Sequence, residues 1–139
     1  MDKKLIIKAS VNKVYDIMKD YSTLSRWNIV VNEATEVEPG KYFFKTNVGD
    51  IYNTEIENIP NERLTSTQEG SPMTSMGYIF KPVDKDVEVT LWCEFELEDQ
   101  RSVMEIAADL FLKSLKVYVD YIEAGGNPEE YKKSFSKIK

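Results

Sequence analysis

The chain has 139 residues, of which 24 are acidic, 18 are basic and none is histidine, so its net charge at neutral pH is −6. This length predicts one domain with a substantial core, and the acidic balance argues against nucleic acid as a partner, because neutralising phosphates needs clustered cations. Without histidine, and with Cys93 as the single cysteine, the chain cannot build an ordinary zinc site or a Ser-His-Asp or Cys-His catalytic arrangement.

The first part of the sequence predicts one strand and two short helices. Residues 3–9 alternate in the manner of a strand. Ser10 is a candidate N-cap for a helix over residues 11–19. A second short helix or turn covers residues 21–26 and ends near Trp27.

Strands dominate the middle of the chain, separated by turns rich in glycine, proline and asparagine. Each turn residue falls where a hairpin of a meander needs it. The six predicted strands cover residues 29–37, 41–48, 51–59, 63–69, 73–81 and 87–98.

The last predicted strand has the clearest facing. Its odd-numbered residues, from Val87 to Leu97, are all apolar or cysteine, and its even-numbered residues are polar apart from Trp92. Alternation of this length predicts one buried face and one wet face, with Trp92 on the outer side. In the preceding strand, Gly77 suggests a bulge or a bend.

The strand over residues 51–59 allows two facings. With Asn53, Glu55 and Glu57 inward, it would carry a polar patch whose buried carboxylates could act as acid or base. With Ile56 inward, Glu55 and Glu57 would lie on the solvated convex face. We favour the second facing because Ile56 is the best core residue of the strand.

A long helix over residues 101–124 is apolar over more than half its circumference. Asp99 is a plausible N-cap, Gly125 suits a left-handed residue after the last turn, and Pro128 prevents continuation. A stripe this wide allows two interpretations, a cavity wall together with core or core together with a dimer interface. We expect a domain over residues 1–126, followed by a solvated, partly frayed, Lys-rich tail over residues 127–139.

The opening segment IIKASVNKVYDIMKDYSTLSRWN resembles the loose N-terminal pattern of START-related, Bet v 1-like and polyketide cyclase/dehydrase-like proteins. The residues that carry this resemblance are Ala9, Val14, Tyr15, Asp20 and Trp27. The resemblance implies an α+β helix-grip fold, in which a curved antiparallel sheet of about seven strands surrounds a long C-terminal helix, with two short helices after the first strand. A cystatin-like fold competes, but its long helix precedes most of its strands. Members of the resembled group bind lipids, sterols, hormones, quinones or polyketides, and some cyclise or dehydrate their ligand or bind a chaperone.

We therefore expect binding or transport of a small hydrophobic molecule between the sheet and the long helix. The alternatives are a cyclase- or dehydratase-type enzyme and a protein-interaction module that uses the outer sheet face around Trp92. The expected cavity walls are Trp27, Tyr78, Leu91, Cys93, Val103, Ala107, Phe111 and Tyr118.

We expect a small apolar ligand as the partner, and the wide helical stripe also allows a homodimer. No GxGxxG or Walker pattern occurs, so we expect no cofactor. We also expect no metal, because the chain has no histidine, one cysteine and no EF-hand spacing. No apolar run is long enough to span a bilayer, and no signal-peptide pattern is present. These absences and the single cysteine predict a cytoplasmic protein.

Overall fold

The computed structural model describes residues 1–138, in which seven strands and one long helix dominate. The strands are β1 (Asp2–Ile7), β2 (Val31–Glu38), β3 (Lys41–Thr46), β4 (Gly49–Ile59), β5 (Arg63–Glu69), β6 (Met73–Val83) and β7 (Asp86–Phe95). The helices are α1 (Val11–Lys19), α2 (Leu24–Trp27) and α3 (Arg101–Glu123), with 3₁₀ turns at Tyr21–Thr23, Glu98–Gln100, Pro128–Glu130 and Phe135–Lys137.

The strands form one antiparallel sheet in the order β1-β7-β6-β5-β4-β3-β2. Strands β2 to β7 follow each other as hairpins, and β1 returns to pair with β7 at the far edge. The two short helices follow β1, and α3 packs on the concave face. This arrangement confirms the predicted helix-grip fold.

The facing of β7 is as predicted along the strand itself. Val87, Val89, Leu91 and Cys93 are all buried and point to the concave side. The strand ends at Phe95, earlier than predicted, and Leu97 beyond it is 61% exposed. The pairing of β7 with β6 ends at Phe95, whereas the alternation of apolar and polar residues continues to residue 98. Alternation alone therefore overestimates the length of the strand.

Gly77 does not form a bulge, which was one of the two alternatives that the sequence suggested. It pairs in register with Thr65 on β5 and with Trp92 on β7. A Cβ atom at this position would lie 2.5 Å from the backbone oxygen of Leu64 and 2.8 Å from the ring of Trp92. The glycine therefore makes room for the indole, which covers it on the outer face of the sheet.

The favoured facing of β4 is wrong because a bulge interrupts the strand. Glu55 pairs with Ser66 and Glu57 with Thr65, which leaves Ile56 without a partner and 60% exposed. Asn53 is 1% exposed and points inward. One extra residue reverses the facing of everything beyond it, so a single alternation could not describe the whole strand.

The buried face of α3 is rotated relative to the centre of the apolar stripe. Its largest buried side chains include Met104, Phe111 and Leu115. Val103 is 43% exposed and Ile106 is 62% exposed. The apolar stripe is wider than the surface that the sheet offers, and the pattern alone does not say which edge of it is left uncovered.

The sequence predicted the C-terminal end of α3 correctly but not its N-cap residue. Asp99 lies within a 3₁₀ turn and is not the N-cap; Gln100 occupies that position, without a side-chain cap hydrogen bond. Gly125 has φ +93°, the left-handed conformation expected of it.

No helix in residues 1–138 combines the length and the hydropathy that a membrane span requires.

Most of residues 127–138 are exposed, but Tyr131 and Ile138 are buried against the domain. The ring of Tyr131 lies 4.9 Å from that of Tyr118, and Ile138 is buried beside Ile29. The ammonium group of Lys133 donates hydrogen bonds to backbone oxygens of residues 28 and 31, at 2.9 and 2.5 Å. Two apolar side chains thus anchor a segment whose lysine content suggested solvent exposure.

Candidate ligand-binding site

A cavity lies between the concave face of the sheet and α3. The cavity is partly open to solvent and has a volume of about 80 Å³. For comparison, an engineered apolar cavity of roughly 150 Å³ binds benzene. In this conformation the cavity has about half that volume, so a ring fits only when lining side chains move aside.

The cavity walls are predominantly apolar. The sheet contributes aromatic and aliphatic side chains such as Phe44, Ile51 and Leu91, and α3 contributes Ala108 and Phe111.

Methionine is the second feature of the walls. Met1, Met73, Met76 and Met104 all line the cavity, and the chain has five methionines in total. The unbranched thioether side chain adapts to irregular apolar shapes at low energetic cost. The walls can therefore change the shape of the cavity without any movement of the backbone.

Five of the eight side chains expected at the cavity line it in the structure. They are Tyr78, Leu91, Cys93, Ala107 and Phe111. Ala107 is half-buried, in contrast to its buried neighbour Ala108.

The other three expected wall residues lie elsewhere. Trp27 is buried behind Phe111, with the two rings perpendicular and their centroids 5.4 Å apart. Tyr118 stacks on the far side of Trp27 at 6.0 Å and belongs to the same layer of core. Val103 points to solvent. The aromatic composition predicted buried positions correctly but did not distinguish core from cavity.

A polar chain crosses one wall and was only partly anticipated. The Gln68 Nε2 group donates to Asn53 Oδ1 at 2.9 Å, and Asn53 Nδ2 donates to the Ser66 hydroxyl at 3.0 Å. Gln68 and Asn53 both line the cavity. Asn53 was a candidate in the sequence, whereas the inward facing of Gln68 follows from the pairing of β5 with β4.

Asn28 also lines the cavity, and sequence reasoning gave it no role. It ends α2, where its backbone N–H donates to the oxygen of Leu24. Its side-chain Oδ1 accepts the N–H of Val30 at 3.0 Å. The residue is 0% exposed, and its Nδ2 group has no hydrogen-bond partner within residues 1–138.

The titratable side chains at the cavity are held neutral. Burial, together with the nearby Glu55 carboxylate, raises the pKa of Tyr21, whose hydroxyl lies 3.1 Å from Glu55 Oε1. Burial likewise raises the pKa of Tyr78 well above its usual value and raises the pKa of the Cys93 thiol. A neutral phenol donates hydrogen bonds, and a protonated thiol is a poor nucleophile. The site is thus equipped for binding by neutral groups.

No family model and no curated protein sequence matches the chain. Solved structures match it over most of its length. A START superfamily protein from Mycobacterium smegmatis superposes with a TM-score of 0.75 at 14% identity, over 88% of this chain and 97% of that one.

Two further structural neighbours have different descriptions. The Aha1 dimer from Colwellia psychrerythraea gives a TM-score of 0.71 at 20% identity, and the Zhui aromatase/cyclase from Streptomyces sp. R1128 gives 0.71 at 12%. Each alignment covers 91% of this chain and 98% of the other. Identities this low establish a shared fold and leave the activity open, so the resemblance seen in the N-terminal residues is confirmed at the level of fold.

Proposed function

We propose that this chain, which has the START/Bet v 1-like helix-grip fold, binds a small, mostly apolar and uncharged molecule between its sheet and α3. The observation that carries this proposal is the cavity itself, an apolar space whose lining side chains are all uncharged. Pockets for small molecules are generally of this kind, concave and apolar with few polar groups.

Adaptable walls support the same proposal. The four methionines at the cavity can rearrange around ligands of different outline, as methionine-rich binding surfaces do. A ligand larger than the present space would displace these side chains and leave the strands where they are.

Binding has more support than catalysis. An acid–base enzyme of the cyclase or dehydratase type needs a group that gains and loses a proton at the substrate. Glu55 is not among the side chains that line the cavity, and its carboxylate is engaged by the Tyr21 hydroxyl. The raised pKa values of Tyr21 and Tyr78 keep both hydroxyls protonated near neutral pH.

Ala107→Trp tests the proposal, because Ala107 lines the cavity and is only half-buried. The indole should fill the space while the fold survives. Ile106→Trp is the matched control, since Ile106 is the adjacent residue, is 62% exposed and does not line the cavity. Toluene, titrated by ¹H–¹⁵N correlation spectra, should shift cavity resonances in the wild type and in Ile106→Trp but not in Ala107→Trp.

Two results would contradict the proposal. The first is an absence of toluene binding by the wild-type protein at its solubility limit. The second is equal binding by Ala107→Trp and the wild type, which would locate the bound toluene outside the cavity. Far-UV circular dichroism of all three proteins checks that the fold is retained.

A second candidate function, self-association, has one observation in its favour. Leu97, Val103 and Ile106 are 61%, 43% and 62% exposed, and all three lie at or just before the start of α3. An apolar segment of this kind suits a contact between two copies of the chain. Sedimentation velocity over a wide concentration range would detect a dimer, and Ile106→Glu should abolish it. A monomer at every concentration would eliminate this candidate.

A further inference from the structure

Three buried side-chain polar atoms have no hydrogen-bond partner within residues 1–138. One is Nε1 of Trp27, which does not line the cavity, and the other two belong to residues that do. These two atoms are Nδ2 of Asn28 and Oε1 of Gln68. Nearly all buried polar groups in folded proteins are paired, so two unpaired atoms at the same cavity require an explanation.

The free group of Asn28 is defined without ambiguity as a hydrogen-bond donor. Its Oδ1 accepts from the backbone N–H of Val30, which can only donate, so the amide cannot be turned round. The backbone around it is fixed as well. The N–H of Ile29 donates to the Ser114 hydroxyl of α3 at 3.2 Å, and the carbonyl of Asn28 accepts from Lys133. These three hydrogen bonds fix the side chain of Asn28 and the backbone on either side of it, and so they fix the position of the Nδ2 group.

The Gln68 amide is held less strictly. Its Nε2 donates to Asn53, which in turn donates to the Ser66 hydroxyl. A hydroxyl group both donates and accepts, so this chain tolerates reversal of both amides. The unpaired atom of Gln68 is an acceptor in the present arrangement and a donor in the reversed one. It can therefore match either kind of ligand atom.

We infer that the ligand of this cavity is an uncharged molecule with an apolar body of about one ring and a carbonyl-type oxygen, and that this oxygen accepts a hydrogen bond from Asn28 Nδ2. This inference rests on the proposed function and specifies its ligand class. A neutral carboxamide or ketone meets these requirements. A carboxylate does not, because no lining side chain carries a positive charge, and the one charged group of a lining residue, the Met1 ammonium, already donates to the Cys93 carbonyl at 3.2 Å.

Acetophenone and isopropylbenzene test this inference, because they have nearly the same shape and differ in the carbonyl oxygen. Asn28→Leu removes the donor at similar volume. Asn28→Asp, measured at about pH 8 to keep the carboxyl ionised, also removes the donor but keeps an oxygen that accepts the Val30 N–H, so this variant guards against misfolding of the loop. Asn12→Asp makes the same chemical change at an exposed position of α1 and serves as the control.

The expected result is a selective loss of acetophenone affinity. Both Asn28 variants should bind acetophenone about tenfold more weakly than the wild type, which is the scale of one buried hydrogen bond. Both should bind isopropylbenzene within about twofold of the wild type, as expected for a site that keeps its apolar walls. Asn12→Asp should leave both affinities unchanged.

Parallel loss or parallel retention of the two affinities in the Asn28 variants would overturn the inference. Parallel retention would mean that Asn28 is satisfied by water and does not contact the ligand. In either case, binding of isopropylbenzene by the wild type would leave the proposed function standing. Failure of the wild type to bind either molecule would instead contradict the proposed function.

Discussion

Replacing Gly77 by alanine should destabilise the protein, because β6 has no room for a Cβ atom at this position. That atom would lie 2.5 Å from the backbone oxygen of Leu64 and 2.8 and 2.9 Å from two ring atoms of Trp92. Ordinary van der Waals contact begins at about 3.4 Å, so the neighbouring strand would have to move by roughly 0.9 Å. A backbone oxygen inside a sheet cannot swing away as a flexible side chain can.

The magnitude follows from two opposing effects. Overpacking of this kind costs about 1–3 kcal/mol, and two contacts of which one is to backbone favour the upper end of that range. Alanine regains about 0.5–1 kcal/mol because it loses less conformational entropy than glycine on folding. We therefore expect a net loss of about 2 kcal/mol in the free energy of unfolding, or roughly 5–10 °C in the melting temperature.

Urea denaturation followed by circular dichroism would measure this loss. The slope of the free energy against urea should stay constant, since the exposed surface changes little. In a Trp92→Ala background the cost of Gly77→Ala should fall but not vanish, because the contact with the Leu64 oxygen remains. A loss below about 0.5 kcal/mol in the wild-type background would refute the reasoning, because it would mean that neither the Leu64 oxygen nor the indole confines this position.

Leu115 is fully buried on α3, so Leu115→Ala should lower the free energy of unfolding by about 2–5 kcal/mol in the same assay. Leu110 is only half-buried, so Leu110→Ala should lower it by about 1–2 kcal/mol. Equal losses in the two variants would contradict the orientation of the helix. Burial and a hydrogen bond to the Glu36 carboxylate raise the pKa of Tyr42 to about 12, so the folded state holds this phenol proton more tightly than the unfolded state. The associated stabilisation is complete below about pH 10 and is lost as the pH rises towards 12. The free energy of unfolding should therefore fall less steeply between about pH 10 and pH 11 in Tyr42→Phe than in the wild type, and equal slopes would argue against the interaction.

Local sequence patterns determined the elements and their order. Alternation defined the buried face of β7, and the left-handed conformation of Gly125 follows from its position after an apolar helical stretch. Both features depend on residues a few positions apart, so they are legible without knowledge of the fold. The same holds for the order of strand, short helices, strands and long helix, which was enough to indicate the helix grip.

The tertiary structure decided which of several apolar surfaces is buried. On α3 the apolar stripe exceeds what the sheet covers, so Val103 and Ile106 face solvent although their residue types match those of buried positions. In β4 a single bulge reverses the facing of the residues beyond Glu55. Nothing in the residue type of Ile56 predicts this bulge. Outcomes of this kind depend on the partner strand or helix, which lies far away in the chain.

The polar part of the candidate site likewise depends on contacts distant in sequence. Asn28 ends a helix of four residues, and only the approach of Ser114 and Lys133, more than eighty positions later, fixes its loop beside the cavity. Gln68 faces inward through its pairing with Asn53. The sequence determined that an apolar space would form under a wide helical stripe, because hydrophobic periodicity is a local property. The identity of the polar atoms inside that space was decided only by the packing of the folded chain, because each of them is positioned by hydrogen bonds to residues from other elements.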